Sequence, residues 1–597
     1  MGSRRQRQAD IVADIREVQQ SIVIIHVPPT TRETTIRRPP FPLSVSRAAL
    51  SSHRALLVIG VAIGLLGLST RARAQGPSRI DAGGALEVGS EAERYWRLLQ
   101  LAGYARFQPW SIRPIAPPDH RGLVADSVHP WMSRWGSDST ARLTTFRLLR
   151  PGAKLTFNSA FPSGDNRGPA WTGRGATGEL RAGATATFWR IRLQLEPVLF
   201  LAQNANFVLV PNGITGDRSH ADARFPNRID APQRFGDKAY GRLDGGNSTL
   251  SLDLPWISAG VSTRAQSWGP AREYPLLLSG SSGGFAHGFV GTRKPLNIGF
   301  ARVHAAVIAG HLEQSPYSPA EPDRSDRWAS GGTLLLMPRG LPGLELGVAR
   351  FVQGPTTTTF PTMREVRRLF SAGLRATGEN NFSDENQVAS ISVRWHPPGA
   401  ALEVYGEYFR EDYSLGLRRL LQYPDDLRSF TLGLQRVFAH SPERLRSFRF
   451  ELVNAELSSS NRGERGDIIE RKLRAPFPPY LHGSVLQGHT NRGLFLGSPE
   501  AYGGAAWRAG FDQYDARGRT SLTLERALRL DWSPVVVTPD GIAPPDVLVA
   551  LTGDAMRFVG TREMGLSLSA MLNLNRNLQR GNDVPNLRAT LSIRGFR

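Results

Sequence analysis

From about residue 151 onward, apolar and polar residues change places at nearly every step. In "IRLQLEPVLFL", Ile191, Leu193 and Leu195 alternate with Arg192, Gln194 and Glu196. Leu250, Leu252 and Leu254 alternate with Ser251 and Asp253, and Val261, Thr263 and Ala265 with Ser262, Arg264 and Gln266. In "ALEVYGEYF", Leu402, Val404 and Tyr408 share one face, and Glu403, Tyr405 and Glu407 share the other. A period of two predicts strands with two unlike faces. The pattern returns at 333–337, 344–351, 388–395, 430–437, 446–457, 520–529, 564–574 and 587–595. Tight turns such as "MPRGLPG" (337–343) and "HPPGA" (396–400) fit hairpins. No helix-length segments alternate with the strands, which argues against a parallel α/β sheet.

One face of these strands is too polar for a dry core. Two architectures give such a face: a soluble antiparallel sheet with one solvated side, or an outer-membrane barrel with a wet lumen. A stretch of about 450 residues without a visible domain break favours the barrel, with roughly 16–18 strands once loops are allowed for. The expected fold is therefore an all-β, antiparallel outer-membrane β-barrel of about 18 strands over residues 151–597, preceded by a small helical domain. One feature departs from the usual ending on an aromatic residue: Phe596 is penultimate and Arg597 is last.

The helical domain is expected over 75–150, at the periplasmic end. Ser90-Glu91-Ala92-Glu93 reads as a capping box, in which Ser90 accepts from the Glu93 amide. Tyr95, Leu98, Leu99 and Ala102 follow at helical spacing, and Gly103 supplies the stop. A second, weaker helix is predicted after Asp119, ending at Pro130-Trp131. Further upstream, Ala55–Leu68 is an apolar run too short to span a bilayer as a helix. Arg47 and Arg54 precede it and Ala72-Arg73-Ala74 follows, so 47–74 reads as a signal peptide cleaved before Gln75. Residues 1–46 fit no such layout and read as an untranslated extension, with the start expected near Val45 or Leu50.

Composition narrows the chemistry. The 597 residues contain no cysteine, which excludes disulfide scaffolds, cysteine-zinc sites and thiol catalysis. The net charge is +21, yet only Lys154, Lys238, Lys294 and Lys472 are lysines, and the arginines are dispersed along the chain. Dispersal argues against a nucleic-acid footprint, which gathers basic residues in one patch. In a barrel these arginines would pair with glutamates across the lumen. No histidine or acid pattern has metal-ligand spacing, and no cofactor is expected.

Two motifs invite a catalytic reading. Gly280-Ser281-Ser282-Gly283-Gly284 matches the G-x-S-x-G elbow, but that motif needs a strand-to-helix turn, and "GFAHGFVGT" after it carries no helical stripe. It lacks a following Gly-Lys-Ser/Thr as well, so it is no phosphate loop. Glu403 and Glu407 resemble a glycosidase pair, yet on a strand they lie about 13 Å apart, beyond either glycosidase spacing. With Arg410 they read instead as a lumen charge ladder. Trp268, Arg272, Tyr274 and His287 combine aromatic faces with polar donors, as carbohydrate sites do. The plainer alternative makes Trp268 a girdle residue and Arg272 a lumen partner.

Extended segments across the chain resemble the capsule assembly Wzi family of the bacterial outer membrane. They are "YWRLLQLAGYARFQPWSIRPI" (95–115), "HPWMSRW" (129–135), "SWGPAREYPLLLSGSSGGFAHGFVGTRKPL" (267–296), "RWASGGTLLLMPRGLPGLELGVARF" (327–351), "ISVRWHPPGAALEVYGEYFRED" (391–412) and "LHGSVLQGHTNRGLFLGSP" (481–499). The resemblance implies an 18-stranded barrel with a helical bundle at its periplasmic mouth. It further implies a lectin-like role, binding capsular polysaccharide so that a capsule assembles at the surface. On this reading the partners are surface polysaccharide, outer-membrane lipid and lipopolysaccharide, with no nucleic acid, and the barrel is a monomer in the outer membrane of a Gram-negative-type bacterium. The alternatives are a diffusion porin or oligosaccharide channel of the same architecture, and a barrel-embedded hydrolase.

Overall fold

The computed structural model describes residues 86–115, 128–134, 144–165, 167–358, 361–371, 384–411, 421–458, 478–531 and 543–595. The expected signal peptide, the helix after Asp119 and the terminal Phe596 lie outside the described residues.

Among the described residues, eighteen antiparallel barrel strands close on themselves. Five of the first six are broken by a bulge or turn of backbone. β1 comprises Thr144–Leu148 and Gly152–Asn158, β2 Gly175–Arg181 and Ala184–Phe188, β3 Ile191–Leu195 and Val198–Ala202, and β4 Tyr240–Asp244 and Thr249–Asp253. β5 is Ile257–Ser262, and β6 is His287–Thr292 with Leu296–Asn297. The remainder are β7 Ala301–Leu312, β8 Arg327–Pro338, β9 Leu344–Pro355, β10 Asn386–Trp395, β11 Leu402–Glu411 and β12 Arg428–His440. They continue as β13 Arg444–Asn454, β14 Ala505–Asp515, β15 Gly518–Leu530, β16 Asp546–Val559, β17 Arg562–Leu574 and β18 Val584–Arg594. The seam pairs β18 with β1, from Arg588 opposite Asn158 to Arg594 opposite Gly152. Closure leaves no unpaired edge in the hydrocarbon layer. The first barrel strand starts at Thr144, upstream of the boundary expected at 151.

Alternation decides which side chains meet lipid. On β15 Leu522 and Leu524 are exposed while Ser521 and Thr523 are buried in the lumen. On β17 Met564, Leu566 and Leu568 face out. On β4 the outward residues switch from Leu243 to Leu250 and Leu252, because Gly245-Gly246-Asn247-Ser248 shifts the phase of the pleat.

Connections are unequal. Eight short turns (189–190, 254–256, 298–300, 339–343, 396–401, 441–443, 516–517 and 560–561) lie at one end. Nine longer loops, among them 159–174, 203–239, 263–286, 455–504 and 575–583, lie at the other. In outer-membrane barrels short turns are periplasmic and long loops extracellular. Exposed Trp189, Trp256, Phe300 and Trp395 cluster at the short-turn rim, with Arg190 over Trp189 and Lys294 over Trp256. These are the girdle residues, since an indole or phenyl ring beside a cation suits the headgroup level.

The helical segment enters the same end. Helix α1 (Glu91–Leu101) starts at Ser90, whose Oγ accepts from the Glu93 amide at 3.2 Å, while Glu93 reaches back to the Gly89 amide at 2.6 Å. Its Tyr95, Trp96, Leu98 and Leu99 pack on Val437, Leu445, Tyr514 and Met556, which sit near the short-turn ends of β12, β13, β14 and β16.

Candidate functional site: the lumen plug and the long-loop cavity

The lumen wall on β9 to β14 carries a carboxylate ladder. Glu403, Glu407 and Glu411 occupy alternate-phase positions of β11 and are all buried. Glu403 accepts from Arg97 of α1 at 2.7 Å and from Arg394 at 2.7 Å. Arg394 also bonds Glu345, whose other oxygen takes the Ser111 hydroxyl at 2.8 Å. Arg410 does not belong to this ladder. It has the opposite parity, so the pleat turns it away from the lumen, and it pairs with Asp426 at 3.8 Å in the loop beyond β11.

Loop 263–286 descends into the lumen from the long-loop end and meets the N-terminal segment there. Arg113 and Ile112 pair with Ser267 and Trp268 as a two-stranded antiparallel patch. The Arg113 guanidinium bonds Glu93 at 2.9 Å, the Ser267 hydroxyl at 2.7 Å and the Ala271 carbonyl at 2.6 Å. Burial alone would raise the Glu93 carboxyl, but Arg113 overrides it and holds the group below its ordinary value.

Three of the four residues singled out for carbohydrate binding, Trp268, Arg272 and Tyr274, converge here. Trp268 is fully buried, against Gly331 of β8, where a Cβ would sit 2.8 Å from the indole. It is therefore a plug residue and not part of the girdle. The backbone amides of Arg272, Glu273 and Tyr274 all donate to Glu451 of β13, at 2.9, 2.9 and 2.6 Å. Tyr405 donates its hydroxyl to the same carboxylate at 2.5 Å. The Arg272 guanidinium bonds Gln435, and Thr431 donates to the Tyr274 carbonyl at 2.8 Å. His287 stands apart at the start of β6, buried, with Nδ1 2.7 Å from the Phe285 carbonyl. Trp268, Tyr274 and His287 thus present no free face to a sugar.

Glu273 gathers three arginines: Arg508 at 2.7 Å, Arg167 at 2.9 Å and Arg449 at 3.5 Å. Burial opposes its charge, yet the arginines hold its carboxyl well below the usual range. Residues 478–498, before β14, add to the plug. His489 bonds the Leu277 carbonyl at 2.7 Å and Tyr480 the Leu276 carbonyl at 2.6 Å.

Ser282 is buried in this packed loop, and no histidine or carboxylate bonds it among the described residues. The Gly283 amide donates to the Gly280 carbonyl at 3.1 Å, closing a turn with both glycines at positive φ. A Cβ on Gly284 would lie 1.7 Å from the Thr263 carbonyl oxygen. The glycines serve a close backbone approach, and no strand-to-helix elbow is present.

Two cavities remain beside the plug, along the wall formed by β1 and β14 to β18. One, of about 490 Å³, opens toward the short-turn end near Glu87, Arg150 and Glu563. The other, of about 390 Å³, lies between loops 159–174, 203–239 and 575–583 at the long-loop end. They share Asp165, Arg167, Arg508, Glu525 and Arg588 in their linings. Trp171, Phe207, Arg529 and Arg576 line the second, and the sequence reading missed them. Their signal was faint, because each is a lone aromatic or arginine in a long loop or at a strand end.

No family model matches the sequence, and no curated protein matches it. Among solved structures, the fold is similar to Escherichia coli Wzi, described as an outer membrane protein involved in group 1 capsule assembly and a carbohydrate-binding β-barrel. That likeness has a TM-score of 0.56 at 14% identity and covers 85% of this chain and 99% of that one. Pseudomonas aeruginosa OccK2 also aligns, with a TM-score of 0.36 at 10% identity over 76% of this chain and 96% of that one. The chain is an outer-membrane-type barrel in fold.

Proposed function

We propose that this protein is a non-enzymatic outer-membrane barrel that binds capsular or other surface polysaccharide at its long-loop end and helps assemble or attach it at the cell surface. The observation that carries this reading is a cavity with aromatic faces and guanidinium groups, set at the long-loop end beside a filled lumen. Aromatic rings stack on sugar C–H surfaces, and arginine forks receive hydroxyls and carboxylates. The carbohydrate-binding description of Wzi supports it. On this reading Trp268, Arg272, Tyr274 and His287 hold the plug, and glycan contact falls to Trp171, Phe207 and the arginines around them. The test is deletion of the gene in its own host. Polysaccharide should move from the cell-attached to the released fraction, and an unchanged attached fraction would refute the proposal.

The adjoining cavities favour one alternative, a narrow oligosaccharide channel. The Arg508–Glu525 and Arg508–Glu273 pairs, both at 2.7 Å, stand where the two cavities meet. Single-channel recording distinguishes the two: a steady conductance that added oligosaccharide blocks would favour the channel.

A further inference from the structure

Most lumen arginines have a carboxylate partner: Arg97, Arg113, Arg167, Arg394, Arg449, Arg508 and Arg519 all do. Three arginines lining the 390 Å³ cavity do not. Among the described residues, no carboxylate lies in salt-bridge contact with Arg529, Arg576 or Arg588. Arg576 and Arg529 both reach the Asn573 amide oxygen, at 3.4 and 3.3 Å. Both also lie over the Phe161 ring, at 4.4 and 5.7 Å. Among the described residues Arg588 bonds the Gly164 carbonyl at 2.7 Å and the hydroxyls of Ser569 and Ser163 at 3.0 and 3.2 Å.

The acids nearby make their direct bonds elsewhere, although Asp546 acts on Arg576, and Asp165, Glu525 and Asp554 act on Arg588, from beyond contact. Glu525 bonds Arg508 at 2.7 Å, and Asp165 faces Lys154 at 3.6 Å. Asp546 takes the Asn573 side chain and the Asn577 amide, and Glu500 takes the Ser498 hydroxyl.

Arg576 is the telling member. Only 8% of it is exposed, and no carboxylate among the described residues touches it, so the cost of its burial is offset by opposite charge only from a distance. Rings offset part of that cost, with Phe161 at 4.4 Å and Phe207 at 6.0 Å. Burial and the nearby Arg529 push its guanidinium down to about 10 against the opposing pull of Asp546. The loop that carries it is held against its own preference. Asn575, Asn577 and Leu578 all have positive φ, at 49°, 59° and 61°, and Leu578 is fully buried. A leucine is strained there and persists only where its surroundings fix it. The Asp546 bond to the Asn577 amide, at 2.8 Å, is part of that fixing.

We propose that this cavity is a subsite for an acidic sugar, whose carboxylate is received by Arg576 and Arg588 with Arg529 at the entrance, while Phe207 and Trp171 face the sugar ring. The inference rests on the glycan-binding reading above and adds the charge of the residue that is recognised.

The test is binding of trigalacturonate, maltotriose and inorganic phosphate to the purified full-length barrel in detergent, beside the host's own surface polysaccharide. Trigalacturonate should bind saturably, roughly tenfold more weakly in Arg588→Gln and again in about 0.5 M salt. Arg529→Gln, at an exposed position, should weaken it as well, and heat-modifiable gel migration verifies that each variant barrel is folded. Maltotriose should be indifferent to both substitutions. Trigalacturonate affinity unchanged by either variant overturns the subsite, as does phosphate binding of equal strength and equal arginine dependence. Should the host polysaccharide bind while trigalacturonate does not, the glycan reading stands and the acidic subsite falls. Failure of every glycan, host polysaccharide included, removes both.

Discussion

Arg97 of α1 donates through Nε to Glu403 of β11 at 2.7 Å, joining positions 306 residues apart. The pair is buried, and Arg394 takes the second carboxylate oxygen. Arg97→Leu therefore removes one of two cations from a buried carboxylate. Breaking such a pair costs about 3–5 kcal/mol when no partner remains, and Arg394 should keep the cost toward the lower end. The plug should release at lower urea than in the parent while the barrel itself stays folded. Proteolysis of the N-terminal segment, followed against urea, measures this.

The filled lumen predicts electrical behaviour. In planar bilayers the parent protein should show no large open-pore conductance. Glu273→Ala leaves Arg167, Arg449 and Arg508 facing one another without their common counter-ion. That variant should flicker open. A parent that conducts like an open pore would remove the plug from the explanation.

Acid should loosen the plug. Burial would raise Glu87, Glu91 and Glu93, but arginines outweigh it and hold them below their ordinary value, Glu87 at about 2. His489 is pushed down to about 4 by burial. These four groups bind fewer protons in the docked plug than in the released one and outnumber Glu500, whose carboxyl burial raises, so docking weakens as pH falls. The histidine part is lost between the ordinary value of 6.5 and about 4, and the Glu87 part from 4.5 toward about 2. Conductance should appear on acidification through this range, and a barrel that stays closed down to pH ~2 would contradict it.

The two faces of one strand should respond oppositely. Leu524→Arg places a cation on the lipid side near the middle of β15, at a cost of about 2–4 kcal/mol. Thr523→Ser, one residue away in the lumen, keeps the hydroxyl that accepts from Arg449 at 2.8 Å and should cost little. Folding into lipid vesicles, followed in urea, compares them.

The Gly280–Gly284 motif separates backbone from chemistry. Ser282→Ala should leave structure and binding intact, whereas Gly284→Ala drives a methyl into the Thr263 carbonyl and should displace the loop. Susceptibility of residues 263–286 to protease reads out both.

Much of the fold was legible because the pleat repeats every two residues, and the lipid's demand is written at every second position. The α1 cap was equally local, since Ser90 and Glu93 are three residues apart. Arg410 was misassigned although the same count by twos places it opposite Glu403, so that error was avoidable. Trp268 was not decidable locally. Its burial depends on Ile112 and Gly331, both remote in the chain. The arginines that touch no carboxylate were the least visible, because whether an arginine has an acid in contact is settled across the barrel and not along the strand.

Glu87 receives Arg181 of β2 at 2.7 Å and Arg594 of β18 at 3.4 Å, and those two strands flank β1 on either side of the seam. The residue thus acts as a clasp over the join between the earliest and the latest strands to leave the ribosome. A chain whose N-terminal segment has not yet settled inside lacks that clasp when its final strand arrives. Sealing the wall and stowing its contents then become one event in biogenesis, so that an empty cylinder is the harder product to make.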